Sequence, residues 1–267
     1  MTSTTPSAGS SALAACREEG RAALIGYLPV GFPTLAGSLE AIAAIVEGGV
    51  DIVEVGVPYS DPLMDGPVIQ RATETALAAG MTVDDVFTAV AASVAAGAPA
   101  YVMSYWNLIL RRGVDRFAAD LAAAGGSGVI TPDLIPDEAS EWLEAARRHD
   151  LDPVFLVAPS STTERLSVAT AACRGFVYAA STMGVTGTRA SVGDAAADVV
   201  ARTRAVTDLP VCVGLGVSNR AQAAEVARYA DGVIVGSALV RALDEGGPSA
   251  VGRLAAELAA GVREGRG

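Results

Sequence analysis

Two carboxylates are the first candidates for chemistry in this chain. Glu54 sits in the middle of Asp51-Ile-Val-Glu-Val-Gly-Val57, and Asp65 sits in the Pro/Gly/Asp-rich turn that follows. An acid inside an aliphatic, β-branched run is costly to bury unless it is paired or takes part in a reaction. Two acids at one strand end can divide the work of proton donor and anion. Each has a structural alternative. Glu54 could form a buried ion pair with an arginine. Asp65 could serve the turn through its Asp-Gly pair, as Asp61 does in Asp61-Pro62.

Other chemistries are narrowed by what the chain lacks. Its 19 basic residues are all arginine, and His149 is its one histidine. A Schiff-base lysine, or a lysine holding pyridoxal phosphate, is therefore excluded, as is a histidine-rich metal site. His149 falls before a strand, and its simplest role is at a helix C-terminus. Cys16, Cys173 and Cys212 form no CxxC pair and read as reduced thiols in a cytosolic protein. The net charge of −11 argues against nucleic-acid or anionic-membrane surfaces. An anionic substrate needs a local cradle here.

The glycines supply one. Val211-Cys-Val-Gly-Leu-Gly216-Val-Ser-Asn and Gly232-Val-Ile-Val-Gly236-Ser237 each run from a strand into a loop and then a helix. In a barrel, loops after the last two strands and a helix N-terminus form a common phosphate site. Helix capping by Ser218 or Asn219 and tight turns are the structural alternative. A third segment, Tyr178-Ala-Ala-Ser-Thr-Met-Gly184-Val-Thr-Gly187-Thr-Arg189, has the small hydroxyl and glycine content of a mobile lid.

The elements that must hold these residues alternate regularly. Strand-like runs fall near 22–28, 50–57, 99–105, 127–131, 153–158, 175–179, 210–214 and 231–235. Ala-rich helical stretches lie near 35–48, 67–79, 83–96, 115–124, 138–149, 193–206, 219–229 and 249–262. This alternation predicts one (β/α)8 TIM barrel, with an open doubly wound sheet as the weaker alternative. An extra helix at 11–19 precedes it, and residues 1–10 are expected to be a disordered tail. The domain spans 11–267. No apolar run approaches the roughly 18 residues of a membrane span, and the N-terminus does not read as a signal peptide.

With these residues assembled, the sequence resembles the tryptophan synthase alpha chain family across about residues 12–262. The resemblance rests on E-V-G-V-P-Y-S-D-P-L-M-D-G-P-V-I-Q at 54–70, G-V-T-G at 184–187, G-L-G-V-S at 214–218 and G-S-A at 236–238. It implies retro-aldol cleavage of indole-3-glycerol phosphate to indole and glyceraldehyde 3-phosphate. Glu54 and Asp65 then match the catalytic pair. Gly187, Gly216, Gly236 and Ser237 match the phosphate cradle, and Thr186 matches a lid threonine. Tyr27, Tyr178 and Met103 match positions near the indole.

The resemblance also implies a cytoplasmic α2β2 heterotetramer with a beta chain. That partner, not this chain, carries pyridoxal phosphate and receives the indole. Two segments depart from the family pattern, Tyr105-Trp-Asn-Leu108 and Pro132-Asp-Leu-Ile-Pro136. Both are expected in loops near the partner face. Three alternatives stay open: another phosphate-sugar barrel enzyme, a catalytically silent activating subunit, and a stand-alone indole producer.

Overall fold

The computed structural model describes residues 6–61, 64–180 and 189–265, without the side chains of 189–193. Within them, eight parallel strands close into a barrel in chain order. They are β1 (Ala23–Pro29), β2 (Ile52–Gly56), β3 (Ala100–Met103), β4 (Gly128–Thr131), β5 (Asp152–Val157), β6 (Val177–Ala180), β7 (Val211–Gly214) and β8 (Gly232–Val235). β1 pairs with both β2 and β8, which closes the ring.

The helices are α1 (Ala8–Glu18), α2 (Leu35–Glu47), α3 (Pro67–Ala78), α4 (Asp84–Ala96), α5 (Trp106–Arg112), α6 (Val114–Ala123), α7 (Ser140–Arg148), α8 (Thr163–Ala172), α9 (Arg189–Arg204), α10 (Arg220–Ala227) and α11 (Ser237–Glu264). The single TIM barrel expected from the alternation is the fold observed. α11 joins the short helix after β8 to the long apolar one. Non-helical Gly246 and Gly247 and then Pro248 mark the kink between them.

Strand residues alternate between two separate cores, as the two-residue period requires. Val53 and Val55 face outward into the layer between strands and helices. Ile25, Ile52, Ile130, Val154, Phe176 and Ile234 face inward and fill the barrel. Glu54, two residues after Ile52, therefore points inward as well.

Helix α1 closes the N-terminal floor of the barrel, where its Leu13 and Cys16 join the inner core. The expected tail at 1–10 is corrected here, because helix begins at Ala8. Ser7 is its N-cap, with its hydroxyl oxygen accepting from the Ser10 N–H at 3.0 Å. The same hydroxyl donates to Asp152, a fully buried acid at the start of β5. Asp152 also accepts from the Tyr101 hydroxyl at 2.8 Å and from Arg174 Nε at 2.6 Å.

Two more acids at strand starts are tied in the same way. Asp51 takes both Arg21 amines and the Leu24 N–H, each at 2.8 Å. Asp231 takes Arg204 at 2.8 Å and the Val211 N–H at 3.0 Å. The floor is thus held by acids with arginine and backbone partners.

A second correction concerns Tyr105–Leu108. Trp106 to Leu108 form the first turn of α5, not a loop, and the Trp106 N–H donates to Asp133 Oδ1 at 2.9 Å. His149 sits at the C-cap of α7, with Nε2 3.0 Å from Asp115 Oδ1, in agreement with its structural reading.

Candidate active site

The C-terminal ends of the strands open on a cavity of about 410 Å³. Strand register brings Tyr27 opposite Glu54, and Gly56 opposite Met103. The side chains of Tyr27, Glu54 and Met103, with Tyr178 from β6, line the cavity, and so do Asp65, Gly216, Gly236 and Ser237. The structure thus gathers eight of the ten candidate residues around one space. Thr186 and Gly187 lie outside the described residues, as do the rest of 181–188.

The two tyrosines fit because glycines give them room. A Cβ on Gly56 would run into the Tyr27 ring and hydroxyl, and one on Gly214 would run into Tyr178. Gly214 reads from sequence as part of an anion loop. Its place in the barrel wall beside Tyr178 emerges only from the strand register. Burial, together with the nearby Glu54 carboxyl, holds both phenols well above their ordinary pKa; for Tyr27, Asp65 adds to this. Each therefore presents a neutral hydroxyl.

Glu54 is 1% exposed, and its Oε2 has no hydrogen-bond partner among the described residues. No arginine pairs with it among the described residues, so they offer no support for the ion-pair alternative. Burial raises its pKa to about 8, and the Asp65 charge adds to the rise. Asp65 is only half-buried, and burial raises its pKa as well. The less buried acid loses its proton first. Its anion then opposes ionisation of the other. The arrangement favours the proton on Glu54, the more deeply buried of the two.

Asp65 stands just before α3, between two anchored neighbours. The Met64 N–H donates to the Tyr105 hydroxyl at 3.0 Å, and Gln70 Nε2 donates to the Asp65 carbonyl at 2.8 Å. Asp61 lies outside the cavity lining and binds the Ser60 hydroxyl at 2.7 Å, in keeping with a turn role.

Across the cavity stand Gly216 and the start of α11. Gly216 has φ +78°, a left-handed conformation that glycine adopts readily. Gly236 caps α11 with no side-chain hydrogen bond, so the first-turn N–H groups remain available to an anion. Ser237 adds a hydroxyl. Asn219 caps α10, where its side chain accepts the Gln222 N–H at 3.0 Å. None of the described residues lining the cavity is basic. An anion would be held there by backbone and hydroxyl groups.

Met64, Ile69, Leu156 and Ile234 complete the apolar wall, and nothing in the sequence alone singles them out. Leu156 and Ile234 follow inward-facing positions by the two-residue period. That signal becomes usable once strand phase is known.

A model of the tryptophan synthase alpha chain family matches residues 13–263. The chain belongs to the tryptophan synthase alpha chain family. It is 66% identical to the tryptophan synthase alpha chain of Mycobacterium marinum over 249 residues, which cover 93% of this chain and 92% of that one. A structure of Mycobacterium tuberculosis tryptophan synthase superposes with a TM-score of 0.92 at 60% identity, covering 97% of this chain and 99% of that one. The tryptophan synthase alpha subunit of Legionella pneumophila, at 30% identity, superposes with a TM-score of 0.89 over 97% of this chain and 99% of that one.

The match to the alpha chain family spans every described wall of the cavity. Among the described residues, no group of three or more His, Cys, Asp or Glu side chains is placed to hold a metal ion. No helix among them is long and apolar enough to cross a membrane.

Proposed function

We propose that this chain is the alpha subunit of a tryptophan synthase and a lyase. It cleaves indole-3-glycerol phosphate to indole and glyceraldehyde 3-phosphate. The observation that carries this reading is the gathering of Glu54, buried with one carboxyl oxygen unpartnered among the described residues, and Asp65 in one cavity, opposite the uncapped start of α11.

Breaking the bond between indole C3 and the glycerol chain needs an electron sink. Protonating C3 turns the indole ring into that sink. Glu54, held neutral by burial, delivers the proton to C3. As the bond breaks, the same carboxyl takes the proton from the glycerol hydroxyl next to the ring. Positive charge develops at the ring nitrogen, and Asp65 stabilises it as an anion; a proton it accepts from the N–H it returns as the electron pair of the broken bond flows back through the ring to the nitrogen and indole forms. Tyr27, Tyr178 and Met103 flank the ring. Gly187, Gly216, Gly236 and Ser237 hold the phosphate, and Thr186 engages Asp65.

No cofactor takes part in these steps. Pyridoxal phosphate belongs to the beta chain, which receives the indole in an α2β2 assembly and condenses it with serine. The enzyme is cytoplasmic. The deciding experiment measures indole release from indole-3-glycerol phosphate by the full chain, with and without a tryptophan synthase beta chain. Turnover that rises with the beta chain supports the reading. No indole under either condition would contradict it. Asp65→Asn should lower turnover on the order of 10²-fold, as removal of one key electrostatic group does; an unchanged rate would move the ring-nitrogen role elsewhere.

A further inference from the structure

We propose that Tyr105 is a positioning residue for cleavage: it fixes the Asp65 carboxylate through the Met64 backbone and is itself braced by Tyr59 and Asn107. This rests on the reading that Asp65 takes part in the chemistry. The Tyr105 hydroxyl accepts the Met64 N–H at 3.0 Å, one residue before Asp65. Its ring is buried and lies beside Asp65, where both line a small cavity next to the main one. The Asp65 carbonyl is held from the other side by Gln70 Nε2 at 2.8 Å. Asp65 therefore hangs between two side-chain anchors in a segment that is neither helix nor strand.

Tyr105 is in turn held in three ways. The Tyr59 ring packs against it with centroids 4.9 Å apart and planes tilted by 37°. Asn107 Nδ2 donates to the Tyr59 hydroxyl at 3.0 Å. The residue after Tyr105 donates its N–H to Asp133 Oδ1 at 2.9 Å, which ties the start of α5 to the segment after β4. The loops after β2, β3 and β4 are thus linked, and Tyr105 is where that linkage reaches Asp65. Displacing a reacting group by about 1 Å can cost a hundredfold in rate, so a bond one residue away matters to catalysis.

Tyr105→Phe keeps the ring and its packing and deletes the acceptor for the Met64 N–H. The test is a kinetic double-mutant cycle with Asp65→Asn, measured as cleavage of indole-3-glycerol phosphate by the full chain. On the wild-type background, Tyr105→Phe should lower kcat about tenfold or more and leave KM within about twofold. On the Asp65→Asn background it should cost almost nothing further, because the group it positions is already impaired. An unchanged kcat, or the same loss on both backgrounds, would overturn the proposal.

If Asp65→Asn is impaired while Tyr105→Phe is normal, the bracing role alone fails. If Asp65→Asn turns over like wild type, the catalytic reading of Asp65 fails and this role goes with it. Should Tyr105→Phe not fold, Asn107→Leu removes the bond to Tyr59 at an exposed position. It should show the same coupling at about two- to threefold, and its absence would equally overturn the proposal.

Discussion

Glu54 and Asp152 are both buried carboxylates inside the same barrel, at opposite ends of it. They are 1% and 0% exposed. Asp152 receives Ser7, Tyr101 and Arg174, so its charge is fully answered. Glu54 has one oxygen with no partner among the described residues and a neighbouring acid that discourages ionisation. Burial depth is therefore a poor guide to role, and satisfaction is a good one. A buried acid whose charge is met at every side holds structure together. A buried acid left short of partners keeps its proton and can give it away. The division follows the barrel's own polarity, with stability on the floor and chemistry at the mouth.

The contrast can be broken from either end, and the largest effect is expected at the mouth. Glu54→Gln should abolish indole release while leaving the fold and phosphate binding intact, checked by an indole assay and by binding of glycerol phosphate. Near-wild-type turnover would remove Glu54 from the mechanism. At the floor, Asp152→Ala should do the reverse. It leaves the buried Tyr101 hydroxyl without its acceptor and takes one of the two carboxylates from Arg174, which keeps Asp150. Denaturant unfolding should show a loss of about 1–3 kcal/mol, that of a buried donor left unsatisfied, with activity per folded molecule retained.

The third test is gentler and reads pH. Folded Glu54 keeps its proton up to about 8, whereas an ordinary glutamate releases it near 4.5. Between those values the folded state holds a proton that the unfolded state has lost. Stability must then fall as pH rises through that window, by up to about 1.4 kcal/mol per pH unit. Glu54→Gln should remove this part of the slope, seen by comparing unfolding curves across the window.

Much of this contrast is legible in the amino-acid sequence. The eight strands announce themselves as aliphatic, β-branched runs, and the glycine pairs after β7 and β8 mark the anion end. What the sequence hides depends on partners distant along the chain. Helix α1 starts three residues earlier than the polar N-terminus predicts, because Ser7 is held by Asp152. That acid draws no attention in the sequence, since its meaning lies in Tyr101 and Arg174. The start of α5 is set by Asp133, from another loop. The room that Gly56 and Gly214 leave for the tyrosines depends on cross-strand register, which periodicity alone does not supply. Glu54 is legible because an acid in an aliphatic strand is costly wherever its neighbours lie.

The most direct measurement of the contrast is a carbon-13 NMR titration of the glutamate side-chain carboxyls, in the wild-type chain and in Glu54→Gln. The wild type should show one carboxyl titrating near 8, absent from the variant and shifted downward in Asp65→Asn. If every glutamate resonance titrates in the ordinary range near 4.5, Glu54 is charged at neutral pH. It could not then be the proton donor.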